Sequence, residues 1–375
     1  DTFGPIPYVN YGSSSLYDAL DLVYNKFFEE LDNAIEVLSN YVNGNVDAKL
    51  MSDYDCVYGG DVEKWVKFAN TLRLRLAIRV SYANPTLAEA QAKKSMENMF
   101  GFIESKAERA ELSHNSLEYH HPLHEIAYNF NSGDCRPGAT IVAYLNGLND
   151  SRISSYFTAA DDGEYHGVRI GITTSNMSNY QGNKISNLNI NRASTPVVWM
   201  TAAESFFLRA EGALRGWDMG GTAKSFYEQG VRMSFEENNA AGVDDYLADH
   251  TSTPGAFADN VGSDNYTFSS RVTPAWDDNA GFEAQLERII TQKWIANYPD
   301  GPEGWSEYRR TGYPEVIPVV RNSSNGTIDT QLQVRRLPYT RDEKINNASG
   351  VASGISALGG QDTGGTKLWW DKKSR

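Results

Sequence analysis

Three groups of residues in this sequence are of types that could do chemistry. The first is EYHHPLHEIAY, residues 118–128, where His120, His121, His124 and Glu125 are possible metal ligands. Pro122 interrupts the continuous helix that would align His120 with His124, so an ordinary polar turn is expected there and no metal site. The second group is the adjacent acids Asp161 and Asp162, Asp244 and Asp245, and Asp277 and Asp278. A glycoside hydrolase needs two carboxylates facing each other across roughly 5 to 10 Å, and neighbours in sequence do not supply that geometry. Solvated turn formers are expected, with a structural calcium site as the lesser alternative that nothing else in the sequence supports. HExxH, phosphate-loop, GxGxxG and GxSxG signatures are absent, so no residue is assigned a catalytic role and no cofactor is expected.

The third group consists of rings beside amides and acids in two long polar stretches, 158–196 and 251–280. Loops of that length in a compact protein usually carry function or are mobile. A ring there can stand exposed beside groups that hydrogen-bond hydroxyls, which is the usual chemistry of recognising a small polar ligand. The candidates are Tyr165, His166, Asn179, Tyr180 and Asn183 in the first stretch, and Tyr266, Trp276 and Asp277 in the second. The opposing reading is that each ring simply packs, because aromatic side chains dominate cores as well as interfaces.

Helices must position these loops. Leu20, Tyr24, Phe27, Leu31, Ile35 and Leu38 recur at steps of three and four, which predicts one helix from about Ser15 to Tyr41. Trp65, Phe68, Leu72, Leu76 and Val80 predict a second that stops near Asn84-Pro85, and Thr86 to Phe100 a third. Met200, Ala203, Phe207, Ala210 and Leu214 form a further stripe, followed by a turn at 216–221 and a return helix over Thr222–Glu237. A last long helix spans about Gly281 to Asn297. Helix pairs with small residues at the contact suit a tetratricopeptide-like array, although the spacing is too irregular to prove a repeat. Residues 316–340 read as short strands or extended cover, and strand content should be minor. The fold class is therefore mostly α, with long irregular loops and minor β. One domain over 1–375 is expected, its scaffold at 15–100, 197–238 and 281–313.

Composition removes several function classes. With 34 Lys plus Arg against 48 Asp plus Glu, the net charge of −14 would repel nucleic acid and anionic lipid. No apolar run reaches the roughly 18 residues needed to cross a bilayer, so the chain as it stands is expected to be soluble. Two cysteines, Cys56 and Cys135, are too few for a disulfide scaffold. The 21 Tyr and 8 Trp are more than core packing obviously requires.

Two segments are specific enough to indicate a family: ERIITQKWIANYPDGPEGWSEYRRTGYP, residues 287–314, and GGQDTGGTKLWWDKK, residues 359–373. Both resemble the C-terminal half of SusD/RagB-type nutrient-binding lipoproteins of Bacteroidetes outer membranes. Residues 202–237 are similar to that family's central tetratricopeptide hairpin, and DTFGPIPYVNYG, residues 1–12, to the segment after its opening helices. The resemblance implies tetratricopeptide-like units on one side and ligand-binding loops on the other. It also implies a cell-surface protein that binds a glycan or other nutrient and delivers it, without catalysis, to a SusC-like TonB-dependent transporter. Membrane attachment would be only through an N-terminal lipid anchor. The chain has neither a signal peptide nor a lipobox cysteine, so a product shortened at its N-terminus is expected. Trp305, Tyr308, Arg309, Arg310, Tyr313, Trp369 and Trp370 lie in the family-like segments and are assigned structural roles, as is Trp217. Arg309 or Arg310 should stack on the neighbouring rings or pair with Glu303 or Glu307. The rival readings are a tetratricopeptide-like protein-interaction scaffold and a helical glycoside hydrolase.

Overall fold

The computed structural model describes residues 1–45, 47, 49–112, 121–130, 135–172, 178, 180–192, 194–259 and 264–374. Within these the chain is mostly helical, and several of its helices begin where the sequence supplies a side-chain cap. The first, α1 (Leu20–Gly44), buries Leu20, Tyr24, Phe28 and Ile35 along one stripe. The Asp61 carboxylate accepts the Lys64 N–H to start α2 (Val62–Arg79). Asn84 does the same for Leu87 at α3 (Pro85–Glu97), whose first residue is a proline that has no N–H to leave unsatisfied. A strand, β1 (Ala110–Leu112), precedes the one-turn α4 (Pro122–His124) and a π-helical turn over Glu125–Asn129. Next come α5 (Ala139–Gly147), α6 (Ile153–Tyr156), β2 (Phe157–Thr158), β3 (Asn187–Leu188) and β4 (Val197–Met200). Antiparallel pairing joins β1 to β4 and β2 to β3.

Thr201 and Thr222 cap the central hairpin, α7 (Ala202–Leu214) and α8 (Ala223–Glu237). These two helices lie so close that a Cβ on Gly230 would stand 2.8 Å from the Phe207 ring. Five more helices follow: α9 (Val243–Leu247), α10 (Phe282–Ala296), α11 (Gly301–Thr311), α12 (Arg341–Asn346) and α13 (Ala348–Leu358). Residues 315–340 contain no strand among the described residues and run as extended cover. Cys56 and Cys135 do not pair.

Helix α2 packs against α1, α3 and α7, and this explains why its burial does not follow a single stripe. Val66, Leu74, Ala77 and Ile78 are all fully buried, although the Trp65–Phe68–Leu72–Leu76 stripe is also partly covered. Val66, Leu74 and Ile78 each contribute about 1.5–3 kcal/mol on full burial.

Where α2, α7, α10 and α11 meet, the interior is charged. Glu303 accepts hydrogen bonds from Arg79 at 2.6 Å and Lys293 at 2.9 Å, and Arg75 pairs with Glu204. Arg310 reaches Glu211 at 2.6 and 2.7 Å and Glu307 at 2.5 Å. Burial works against the Glu303 carboxylate, but the Arg79, Lys293 and Arg75 cations overcome it and hold the group well below the usual carboxylate range. Arg309 stacks 3.6 Å over the Trp305 ring and 4.8 Å from that of Trp370. The stacking and pairing expected of Arg309 and Arg310 are therefore both present, and both are buried.

Candidate functional site

A concavity of about 710 Å³ opens where the two polar stretches meet the C-terminal half of α5. That volume falls within the range of small-ligand sites. Its floor is Val142 and Ala143; its walls come from residues 160–167, 180–185 and 255–259.

Local geometry explains how irregular backbone holds this shape. The Ala160 N–H donates to Glu164 O at 2.8 Å, closing a turn that displays Asp161, Asp162 and Glu164. Asp161 N–H donates to Asn183 O at 2.8 Å, and His166 and Ser186 exchange two bonds of 3.0 and 3.1 Å, so the outgoing and returning limbs are tied together. The second stretch rests directly on α5: Gly255 N–H donates to Ala143 O at 3.1 Å. A Cβ on Gly147 would stand 1.9 Å from Gly255 N, so only glycine permits that approach. Across the cavity, the Tyr180 hydroxyl donates to Asp259, 2.8 and 2.9 Å from its two oxygens. Burial, and then the Asp259 carboxylate, push the Tyr180 hydroxyl well above its ordinary pKa.

Of the eight candidates, the cavity brings together three. Tyr165 and His166 are half-buried lining residues, and His166 Nε2 lies 2.7 Å from Asp162 Oδ2. The His166 contact, then the Glu164 N–H, hold Asp162 below the usual carboxylate range. Tyr180 also lines the cavity, but at 5% exposure it is a strut between the stretches and not an open stacking face. Asn183 is exposed and contributes its carbonyl to the Asp161 tie. Asn179 lies outside the described residues.

Two of the second stretch's candidates are placed elsewhere, and the third stands behind the wall. Tyr266 exchanges both backbone bonds with Phe257 and donates its hydroxyl to Glu315 at 2.7 Å, supporting the cavity wall from behind. Burial and that carboxylate raise its pKa to about 12. Trp276 is 6% exposed and packs 5.3 Å from the Tyr227 ring, with its indole N–H on Asp278, so it cannot act as an exposed platform. Asp277 accepts the Asn279 N–H in the adjoining turn. The lining residues that the sequence reading missed are Asn146, Lys184, Phe257 and Asp259. Asp161 and Asp162 carry one signal, an adjacent pair of acids, which by sequence reads as a solvated turn or, as the lesser alternative, a calcium site; Glu164 carries none.

Elsewhere, His121 Nδ1 accepts the Leu123 N–H and His124 stacks on Tyr128, while His120 lies outside the described residues. Among the described residues no three His, Cys, Asp or Glu side chains stand close enough to share a metal ion. Among the described residues no helix is long and apolar enough to cross a membrane. A smaller cleft of about 280 Å³ lies at the start of α7, where the Glu237 carboxylate accepts N–H groups of Ala202 at 2.9 Å and Ala203 at 3.4 Å. Burial raises the Glu237 pKa to about 7.

Residues 1–371 match the family described as SusD-like, the SusD and RagB outer membrane lipoproteins. The chain belongs to the SusD-like family. Its whole length superposes on a chitin-binding SusD homologue from Flavobacterium johnsoniae at a TM-score of 0.95 and 41% identity, covering 78% of that chain. A SusD homologue from Bacteroides uniformis gives 0.92 and 43%, and a SusD-like protein from Bacteroides thetaiotaomicron 0.92 and 40%, each with all of this chain and 78% of the other covered. A search of curated proteins found no match. The SusD-like assignment agrees with the helical frame and with the burial of Arg309, Arg310 and Trp370 from the family-like segments.

Proposed function

We propose that this SusD-like chain binds a glycan in the cavity between α5 and the two polar stretches, and passes it unaltered to a SusC-like TonB-dependent transporter at the outer membrane. The observation that carries the reading is a concave site walled by Tyr165, Phe257 and His166 beside carboxylates and the Asn146 amide. Rings beside hydrogen-bonding groups suit a sugar, which has apolar faces and hydroxyl edges. The chitin-binding relative, 41% identical, supports the ligand class. Membership of a family of outer membrane lipoproteins supports the location.

Delivery without chemistry fits a site whose exposed acids cluster on one turn at 161–164, while Asp259 on the other stretch is buried and engaged by the Tyr180 hydroxyl. The test is calorimetric titration with chitin oligosaccharides, followed by chromatography of the recovered sugar. Saturable binding with the oligosaccharide intact is expected. Absence of binding across glycans, neutral and charged, would overturn the binding reading, and shortened products would overturn delivery without catalysis. Co-purification with a SusC-like transporter tests the partner.

A further inference from the structure

The charges around the cavity are strongly one-sided. Asp161, Asp162, Glu164 and Asp259 line it, against Lys184 and one histidine, His166. Asp259 is buried and held by the Tyr180 hydroxyl, and Asp162 is engaged by His166. The Asp161 and Glu164 carboxylates are exposed and form no ion pair among the described residues. On a convex surface such acids would be ordinary solvated groups. Here they stand on the wall of a concavity, where low-dielectric walls focus the field of one-signed charge, and the chain's net charge of −14 adds to it.

We propose that this cavity selects glycans by charge: it takes oligosaccharides bearing free, protonated amines in preference to their N-acetylated counterparts, and it rejects uronate-bearing ones. The inference rests on the glycan-binding reading above and adds the chemical class of the sugar. A protonated amine a few ångströms from Asp161 or Glu164 gains attraction, whereas a uronate at the same place meets like charge and also loses its hydration. An acetamide has hydrogen-bonding capacity but no charge, and falls between the two. Because both acids are exposed, the preference must weaken with salt as the screening length falls from about 10 Å at 0.1 M to about 3 Å at 1 M.

The experiment is calorimetry with three oligosaccharides of equal length: N-acetylglucosamine, glucosamine and uronate oligomers, each at low and high salt. The same series is repeated on the double variant Asp161→Asn/Glu164→Gln. The expected result is about tenfold tighter binding of the amine over the acetamide form at low salt, about 1.4 kcal/mol in free energy, with no detectable uronate binding. The preference should fall to within about twofold at high salt and in the double variant. Binding of the acetamide form equal to or tighter than the amine form at low salt, or uronate binding as tight as either, overturns the charge selection while leaving glycan binding intact. A preference that persists unchanged in the double variant overturns the assignment to these two acids. Failure of every sugar to bind overturns the underlying glycan reading instead.

Discussion

The interior of the helical frame and the wall of the cavity are built from the same charged residue types put to opposite use. Around Glu303 and Glu211, the buried carboxylates of Glu204, Glu211, Glu303 and Glu307 each face an arginine or lysine at hydrogen-bonding distance. Around Asp161 and Glu164, carboxylates stand in solvent without a partner cation among the described residues. Paired and buried charges fix which helices meet and in what register; unpaired charges are left for something that arrives from outside. The rings divide similarly. Trp305, Trp370 and Trp276 are committed to guanidinium groups or to other rings, whereas Tyr165 and Phe257 remain at a cavity wall.

The contrast breaks most visibly if the interior network is opened. Glu303→Ala leaves Arg79 and Lys293 buried without their closest carboxylate, and should cost about 3–5 kcal/mol of stability in denaturant unfolding. A loss under 1 kcal/mol would mean that the frame does not depend on these pairs.

Glu237 is a carboxylate whose environment favours the neutral form, and it sharpens the same comparison. Its folded pKa of about 7 exceeds the ordinary value of 4.5, so the folded chain binds the proton more tightly than the unfolded chain. That contribution is fully present below about pH 4.5 and is lost as the pH rises toward 7. Relative to Glu237→Gln, the parent chain should therefore lose about 2 kcal/mol between pH 5 and pH 8. Parallel stability curves for the two proteins would refute the assignment.

Tyr180→Phe removes the hydroxyl that joins the two stretches and leaves Asp259 without that donor, for a cost of roughly 1.5 kcal/mol and weaker ligand binding together. The smallest effect on stability belongs to the cavity acids. Asp161→Asn and Glu164→Gln should each change it by less than about 0.5 kcal/mol, because neither side chain has an ion-pair partner among the described residues to lose.

The sequence revealed the frame better than the site, for physical reasons. Apolar residues three and four apart disclose a helix without tertiary information, so α1 and α7 emerge from the stripes through Leu20 and Phe207, and α8 from the turn at 216–221, within a few residues of their observed ends. Helix α13, ASGVASGISAL, carries few large apolar residues and depends on packing against its neighbours, with Gly354 against the Tyr17 and Tyr339 rings. Residue type alone does not say whether a ring is covered. Tyr165 and Trp276 look alike in sequence, but Trp276 is buried in the main core, beside Tyr227, and Tyr165 is not. Phe257 and Asp259 sit in a segment without periodicity, and their place at the cavity follows from the approach of Gly255 to Gly147, more than a hundred residues away. Asn179, one of the candidates, lies outside the described residues.

The most direct test is the affinity of Tyr165→Ala for a glycan that binds the parent chain, measured by calorimetry beside its unfolding midpoint. If the cavity is the binding site, affinity falls at least about tenfold, roughly 1.4 kcal/mol, while the helical frame unfolds as before. Unchanged affinity in a normally folded Tyr165→Ala protein would contradict the account and place the ligand elsewhere.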